Sequence, residues 1–321
     1  MHVACVCCGW RDDFIFSGDG LEMKRYASIL VFVTAVLLFT ACGSDLGEIE
    51  SIQTTQPTLE QGTETTPPSE SAQTTIPTQQ YASEQEQTPP TQVIAEIPAY
   101  ITIRGEQFST SLTMLDLARL QLTNEDILPL RYMVNLEELT MANSFHSSGL
   151  LSDITPLTGL TNLTTLNLRG NDIHDITPLA NMTQLVDLSL GGNQINNIAP
   201  LAGLTQLRYL DIAYNQISDI TIVESLPNLI FLDVIGNQVT DVMPVAALLN
   251  LDFLGLSYNP INDITPLAGL TNLTRLTLEN SQISDITPLA HLTNLTFLVL
   301  VGNPIADWSP VEHIVDVIGR P

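Results

Sequence analysis

A pentapeptide returns at one fixed interval without slippage: Asp153-Ile-Thr-Pro-Leu, Asp175-Ile-Thr-Pro-Leu, Asn197-Ile-Ala-Pro-Leu, Asp219-Ile-Thr-Ile-Val, Asp241-Val-Met-Pro-Val, Asp263-Ile-Thr-Pro-Leu and Asp285-Ile-Thr-Pro-Leu. Asp307-Trp-Ser-Pro-Val opens an eighth unit that stops short. A period this strict demands that each unit make the same turn and bury its apolar side against its neighbours. Between the pentapeptides runs Leu-x-x-Leu-x-Leu-x-x-Asn-x-Ile, as in Leu163, Leu166, Leu168, Asn171 and Ile173. Two looser units place the same apolar residues at Leu112, Leu115, Leu117 and at Leu136, Leu139, Met141, which makes nine strand-bearing coils.

Alternation in a short strand sends Leu166 and Leu168 inward while Thr165, Asn167 and Arg169 point outward. Adjacent coils pair as parallel strands about 4.8 Å apart. Asn171, Asn193, Asn215, Asn237, Asn259 and Asn303 turn the chain away from the strands, and their amides are expected to bond main chain of adjoining coils. Leu120, Ser144 and Ser281 break that series. The Asp that opens each unit suits the cap of a short 3-10 turn. Pro156 and its equivalents sit in the arm where no amide hydrogen is needed.

Those residues carry a resemblance to the leucine-rich repeat, and the 22-residue form is similar to internalin-type bacterial repeats. The resemblance implies an α/β-type leucine-rich-repeat solenoid. Such a solenoid is a curved right-handed superhelix with a parallel concave β-sheet and short 3-10 or irregular convex segments. Residues 93–125 read as an N-terminal cap with the first degenerate repeat, 126–306 as the repeats, and 307–321 as a C-terminal cap. Tyr100-Ile-Thr-Ile-Arg belongs to the first cap, and Val311–Ile318 is expected to close the other end as a short helix.

Upstream the chain changes character. Residues 1–22 carry four acids against one base and read as an extension upstream of a start at Met23. Residues 23–41 read as a secretory signal, with Lys24-Arg25 before the apolar run Ile29–Thr40. Phe39-Thr40-Ala41-Cys42 resembles the lipobox of bacterial lipoproteins, which implies a diacylglycerol on Cys42 and a lipid-anchored, extracytoplasmic, surface-exposed protein. Residues 42–92 read as a tether: from Gly43 to Gln92, 38 of 50 residues are Thr, Ser, Pro, Gln or Glu, too few of them apolar to offset the chain entropy of folding.

Composition narrows function. With 35 acids against 10 bases the surface repels phosphate backbones, so no nucleic-acid partner is expected. Cysteines stop at Cys42, which leaves the repeats no thiol chemistry. His146, His174, His291 and His313 lie on different coils, and the aspartates form a row rather than converging as a hard cation requires. No catalytic residue, metal or cofactor is expected. The four Asn-x-Thr triplets at Asn162, Asn181, Asn272 and Asn294 follow from the Leu-Thr-Asn-Leu-Thr phrase and receive no role.

What remains is the outward face of the strands. Its first four coils are small and polar. On the last five, the first outward position holds Tyr209, Phe231, Phe253, Arg275 and Phe297, the middle one includes Asp233 and Val299, and the third includes Ile235. Tyr214 and Tyr258 lie one residue beyond. Exposed aromatic area with an arginine is the composition of a protein-binding surface. These ten residues are the expected partner-binding set on the concave face, for adhesion or envelope assembly. A glycan-binding module that stacks sugars on the aromatic ladder is the alternative.

Overall fold

The computed structural model describes residues 97–143 and 151–321, together with the backbone of His2–Ala4 (β1) and Arg11–Asp13 (β2), which pair antiparallel. The signal segment, Cys42, the tether, His146 and most of the five-residue expansion before Leu151 lie outside the described residues. From residue 97 on, the chain opens with an antiparallel hairpin, Tyr100–Ile103 (β3) and Glu106–Ser109 (β4). Its buried Ile101 and Ile103 join the leucine core.

Ten parallel strands follow in strict chain order: Met114–Asp116 (β5), Glu138–Thr140 (β6), Thr165–Asn167 (β7), Asp187–Ser189 (β8), Tyr209–Asp211 (β9), Phe231–Asp233 (β10), Phe253–Gly255 (β11), Arg275–Thr277 (β12), Phe297–Val299 (β13) and Asp316–Ile318 (β14). Registry is one to one, with Leu166, Leu188, Leu210, Leu232, Leu254, Leu276 and Leu298 side by side and Val317 closing the row. All seven leucines are buried. Across the sheet from these strands run short 3-10 segments, from Leu128–Tyr132 to Ser309–Val311, that supply the opposite wall of the core. The fold is a leucine-rich-repeat solenoid.

From Thr155 on, each turn is set by a side chain. The carboxylate of Asp153 accepts the N–H of Thr155 at 2.8 Å, and Asp175, Asp219, Asp241, Asp263, Asp285 and Asp307 do the same two residues on. These contacts orient the chain into the 3-10 segment, where proline needs no partner for a missing N–H.

Past the strands, asparagine side chains join the main-chain bonds between coils. Asn215 Nδ2 donates to Leu190 O and Ile212 O, both at 3.1 Å, while its Oδ1 accepts Ile195 N–H at 3.0 Å. Asn193, Asn237 and Asn259 repeat the pattern, so each amide stitches its own coil to the one before it. Asn143, one residue before the interruption at Ser144, partly restores the ladder: its Oδ1 accepts Gln121 N–H at 3.3 Å and its Nδ2 donates to Asn171 Oδ1 at 2.8 Å. Ser281 does not restore it; its hydroxyl is buried with no hydrogen-bond partner, and Ile261 N–H bonds Asn259 O instead.

A second asparagine ladder runs along the opposite, exposed edge. Asn228, Asn250, Asn272 and Asn294 each donate to a carbonyl of the preceding coil, those of Thr205, Pro227, Leu249 and Thr271. The Leu-Thr-Asn-Leu-Thr phrase therefore has a structural role that the sequence alone did not reveal.

The closing helix expected over Val311–Ile318 is not formed. Val311 ends a 3-10 turn, Ile314 is buried in the core, and Asp316–Ile318 adds a tenth strand beside β13. Phe297 pairs with Asp316, whereas each earlier strand of the regular array pairs with a position one full repeat further on, so this last coil is shortened by three positions. The apolar spacing Val311, Ile314, Val317 continues the inward series of the coils before it, and β-branched Val315, Val317 and Ile318 favour strand over helix.

Candidate ligand-binding face

The outward aromatic residues of β9, β10 and β11 meet because their strands are in register. Phe231 and Phe253 stack at 4.5 Å between ring centroids and 10° between planes, and Tyr209 tilts against Phe231 at 6.3 Å. On the other side the Arg275 guanidinium lies 5.5 Å from the Phe253 ring centre, held there by Asp252 at 2.7 Å. Phe253 is thereby sandwiched and only 3% exposed.

Packing of this kind divides the expected partner-binding set. Phe253, Ile235, Val299 and Asp233 are buried by neighbours of their own chain, and Ala213 and Ser257 with them. Tyr209, Phe231, Arg275 and Phe297 are half-buried, and Tyr214 and Tyr258 are exposed. The structure thus brings all ten residues onto β9–β13 and their exits, but four of them form the floor and six the accessible surface. The repeat places these side chains outward and sets Phe231 and Phe253 side by side on adjacent coils, but it does not foretell how far Arg275 and the neighbouring rings bury Phe253.

Two carboxylates lie in this floor. Asp211 and Asp233 are partners in register, each accepting the N–H two residues on at 3.0 Å. Room for them comes from missing side chains. A Cβ at Gly191 would stand 2.8 Å from Asp211 Oδ1, and one at Gly255 would stand 2.6 Å from Asp233 Oδ1. Arg169 reaches across two strands to ion-pair with Asp211. Burial raises both aspartates above the ordinary carboxylate range. Arg169 opposes the rise most directly at Asp211. Asp233 is pushed up to about 7 by burial and then by the neighbouring Asp211, with only partial relief from Ile235 N–H and Arg169. The sequence pattern puts Asp233 on this face but not its coupling to Asp211 and Arg169, which belong to coils one and three steps earlier in the chain.

Among the described residues no group of three or more His, Cys, Asp or Glu side chains converges as a metal site, and no helix is long and apolar enough to cross a membrane. An open trough beside the start of the first strands is lined by Thr113, Asn135, Glu137, Thr161, Asn162 and Thr164, without an aromatic ring among its lining residues.

A family profile described as leucine-rich repeats (two copies) matches residues 161–203, 205–246, 249–291 and 271–313. An internalin of Listeria monocytogenes is similar at 34% identity over 66% of this chain, with a TM-score of 0.60. The chain carries leucine-rich repeats and is similar to that internalin. It spans 63% of the length of that internalin. The fold of this chain is shared by a leucine-rich-repeat protein of Leptospira interrogans, at 23% identity, a TM-score of 0.50, and 59% of this chain against 56% of that one. It is shared too by the leucine-rich-repeat ectodomain of a plant membrane receptor kinase of Arabidopsis thaliana, solved in complex with Casparian strip integrity factor 2. That match has 19% identity, a TM-score of 0.51, and covers 60% of this chain and 28% of the ectodomain. No curated protein sequence matches the chain.

Proposed function

We propose that this is a non-enzymatic binding module that takes a protein ligand on the concave face of its solenoid, in adhesion or envelope assembly. One observation carries the reading. Tyr209, Phe231, Arg275 and Phe297 surround a pre-stacked floor, so the rings a partner would meet are already held rigid and lose little freedom on binding. The lipobox-like sequence at Cys42 adds that the module is lipid-anchored outside the cytoplasm, with residues 42–92 as its tether, after removal of a signal at 23–41. The glycan alternative loses support from burial: Asp211 and Asp233, which would hydrogen-bond a stacked sugar, lie beneath the surface.

The test is capture from envelope and host-surface extracts with the full chain. Tyr209→Ala with Phe231→Ala should lower capture of a protein partner at least ~10-fold, while Thr165→Ala with Asn167→Ala on the polar half should not. Equal loss from both pairs, or none from either, would remove the case for this face. Capture of oligosaccharides alone would replace the protein reading with the glycan one. Labelled fatty acid should enter the wild type and not Cys42→Ser; an unlabelled wild type would sink the anchor.

A further inference from the structure

From β7 to β13, one position per coil, just past the strand, takes a left-handed backbone. Gly170, Gly192, Gly236 and Gly302 occupy it at φ of 69°, 68°, 67° and 75°. Asn280 occupies it at 48°, and Tyr214 and Tyr258 at 52° and 57°, although a bulky side chain is disfavoured there. Strain of this kind is tolerated where a side chain must be presented in one place. Here it lifts two phenol rings onto the rim of the face, 44% and 39% exposed.

Their surroundings are acidic. The Tyr214 ring lies across Gly236, its Cδ1 2.7 Å from where a Cβ would stand. Tyr258 donates its hydroxyl hydrogen to Glu279 Oε1 at 2.9 Å. Burial raises both phenols, and the nearby carboxylates raise them further, Asp233 chiefly at Tyr214, where Arg169 opposes it, and Glu279 at Tyr258. The two arginines among the outward strand residues of β7–β13 are engaged with acids, Arg169 with Asp211 and Arg275 with Asp252. From residue 97 on, the chain has 22 acids, 7 arginines and no lysine.

We propose that the face docks a basic segment of its protein partner, with one lysine or arginine side chain seated over Tyr214 and Tyr258, above the buried carboxylates of Glu279 and Asp233. A cation over tyrosine faces is attracted by the ring quadrupole, more strongly when water is displaced. The carboxylates beneath supply the countercharge, which Arg169 offsets only in part at Asp233. This inference rests on the reading that the face binds protein, and adds the partner's charge and its point of contact. It also has a proton consequence. A cation beside Asp233 favours the ionised carboxylate, so docking at neutral pH expels a proton from that group.

Calorimetric titration of the full chain with two synthetic peptides tests this. The peptides share their apolar residues and carry lysine in one and glutamate in the other. The lysine peptide should bind and the glutamate peptide should not. Tyr214→Ser with Tyr258→Ser should weaken binding at least ~10-fold, and Glu279→Gln should weaken it too. Asp263→Asn with Asp285→Asn removes charge on the turn edge, away from the rings, and should change binding less than ~2-fold. At pH 7 the heat should depend on the ionisation enthalpy of the buffer, and that dependence should vanish in Asp233→Asn. Equal weakening by the Asp263 and Asp285 pair would reduce the effect to bulk charge and overturn the proposal. Equal binding of both peptides through Phe231 would overturn it while leaving a protein-binding face intact. Binding of neither peptide would overturn it as well, and capture with the Tyr209 and Phe231 variants would still decide the broader reading.

Discussion

Asp233 lies directly beside Asp211 on the next strand, and the Arg169 guanidinium that reaches this pair is hydrogen-bonded to Asp211. Two carboxylates buried in one floor, with the cation paired to Asp211, make the outer face sensitive to protons.

Stability should therefore fall as pH rises through neutrality. Asp233 has a folded pKa of about 7 against an ordinary 3.8, so between those values the folded chain holds a proton that the unfolded chain has lost. Stability from this group drops across that window, by at most about 1.4 kcal/mol per pH unit, and is flat above it. The turn aspartates act in the other direction. Asp153, Asp175, Asp219, Asp263 and Asp285 are held below 3.8 by the hydroxyl and then the N–H of the residue two along, so their contribution is present above that value and lost in stronger acid. The melting temperature should peak around pH 4–5. Asp233→Asn should melt above the wild type at pH 8 and close to it at pH 5. Identical pH profiles for the two proteins would show that the carboxyl is not raised.

Ser281→Asn should stabilise the solenoid. The new amide would face Leu256 O and Leu278 O and accept Ile261 N–H, the pattern that Asn259 makes one coil earlier. Two or three restored bonds are worth about 1–2 kcal/mol, a rise of roughly 2–6 °C in melting temperature. A lower melting temperature would mean that the site has relaxed around serine.

Leu210→Asp should cost several kcal/mol, because it places a carboxylate without a partner in the middle of a buried leucine row. Coils hold one another through shared ladders, so protection from hydrogen exchange should fall on β8 and β10 as well as β9. Loss confined to one strand would show that the coils fold independently.

Phe231 and Phe253 should separate binding from folding. Phe253→Ala empties a sandwiched position and should destabilise the fold by about 3–5 kcal/mol. Phe231→Ala should lower the melting temperature less and partner capture more. A reversed order would make Phe253 the contact residue and Phe231 the support.

Most of the scaffold is readable because it is written once and repeated. An inward leucine, a turning asparagine and a capping aspartate each answer to one local rule, and the period tells which residues become neighbours. Reading fails where the answer depends on side chains of the adjoining coils. The burial of Phe253 comes from Phe231 and Arg275, and the raised Asp233 comes from Asp211. The last strand escapes for a related reason. Shortening the final coil hides the alignment of Val317 with Leu298, and a short apolar run by itself does not distinguish helix from strand.

The asparagine ladders leave a mark on heredity. The Asn215 amide is satisfied by main chain of the coil before it, at Leu190 and Ile195, and by its own coil at Ile212, so any coil gained or lost must come as one whole repeat. Unequal crossing-over between near-identical repeats supplies such units. A lineage can thus lengthen the polar half while the aromatic half keeps every neighbour, and the reach of the arc can evolve separately from what it grips.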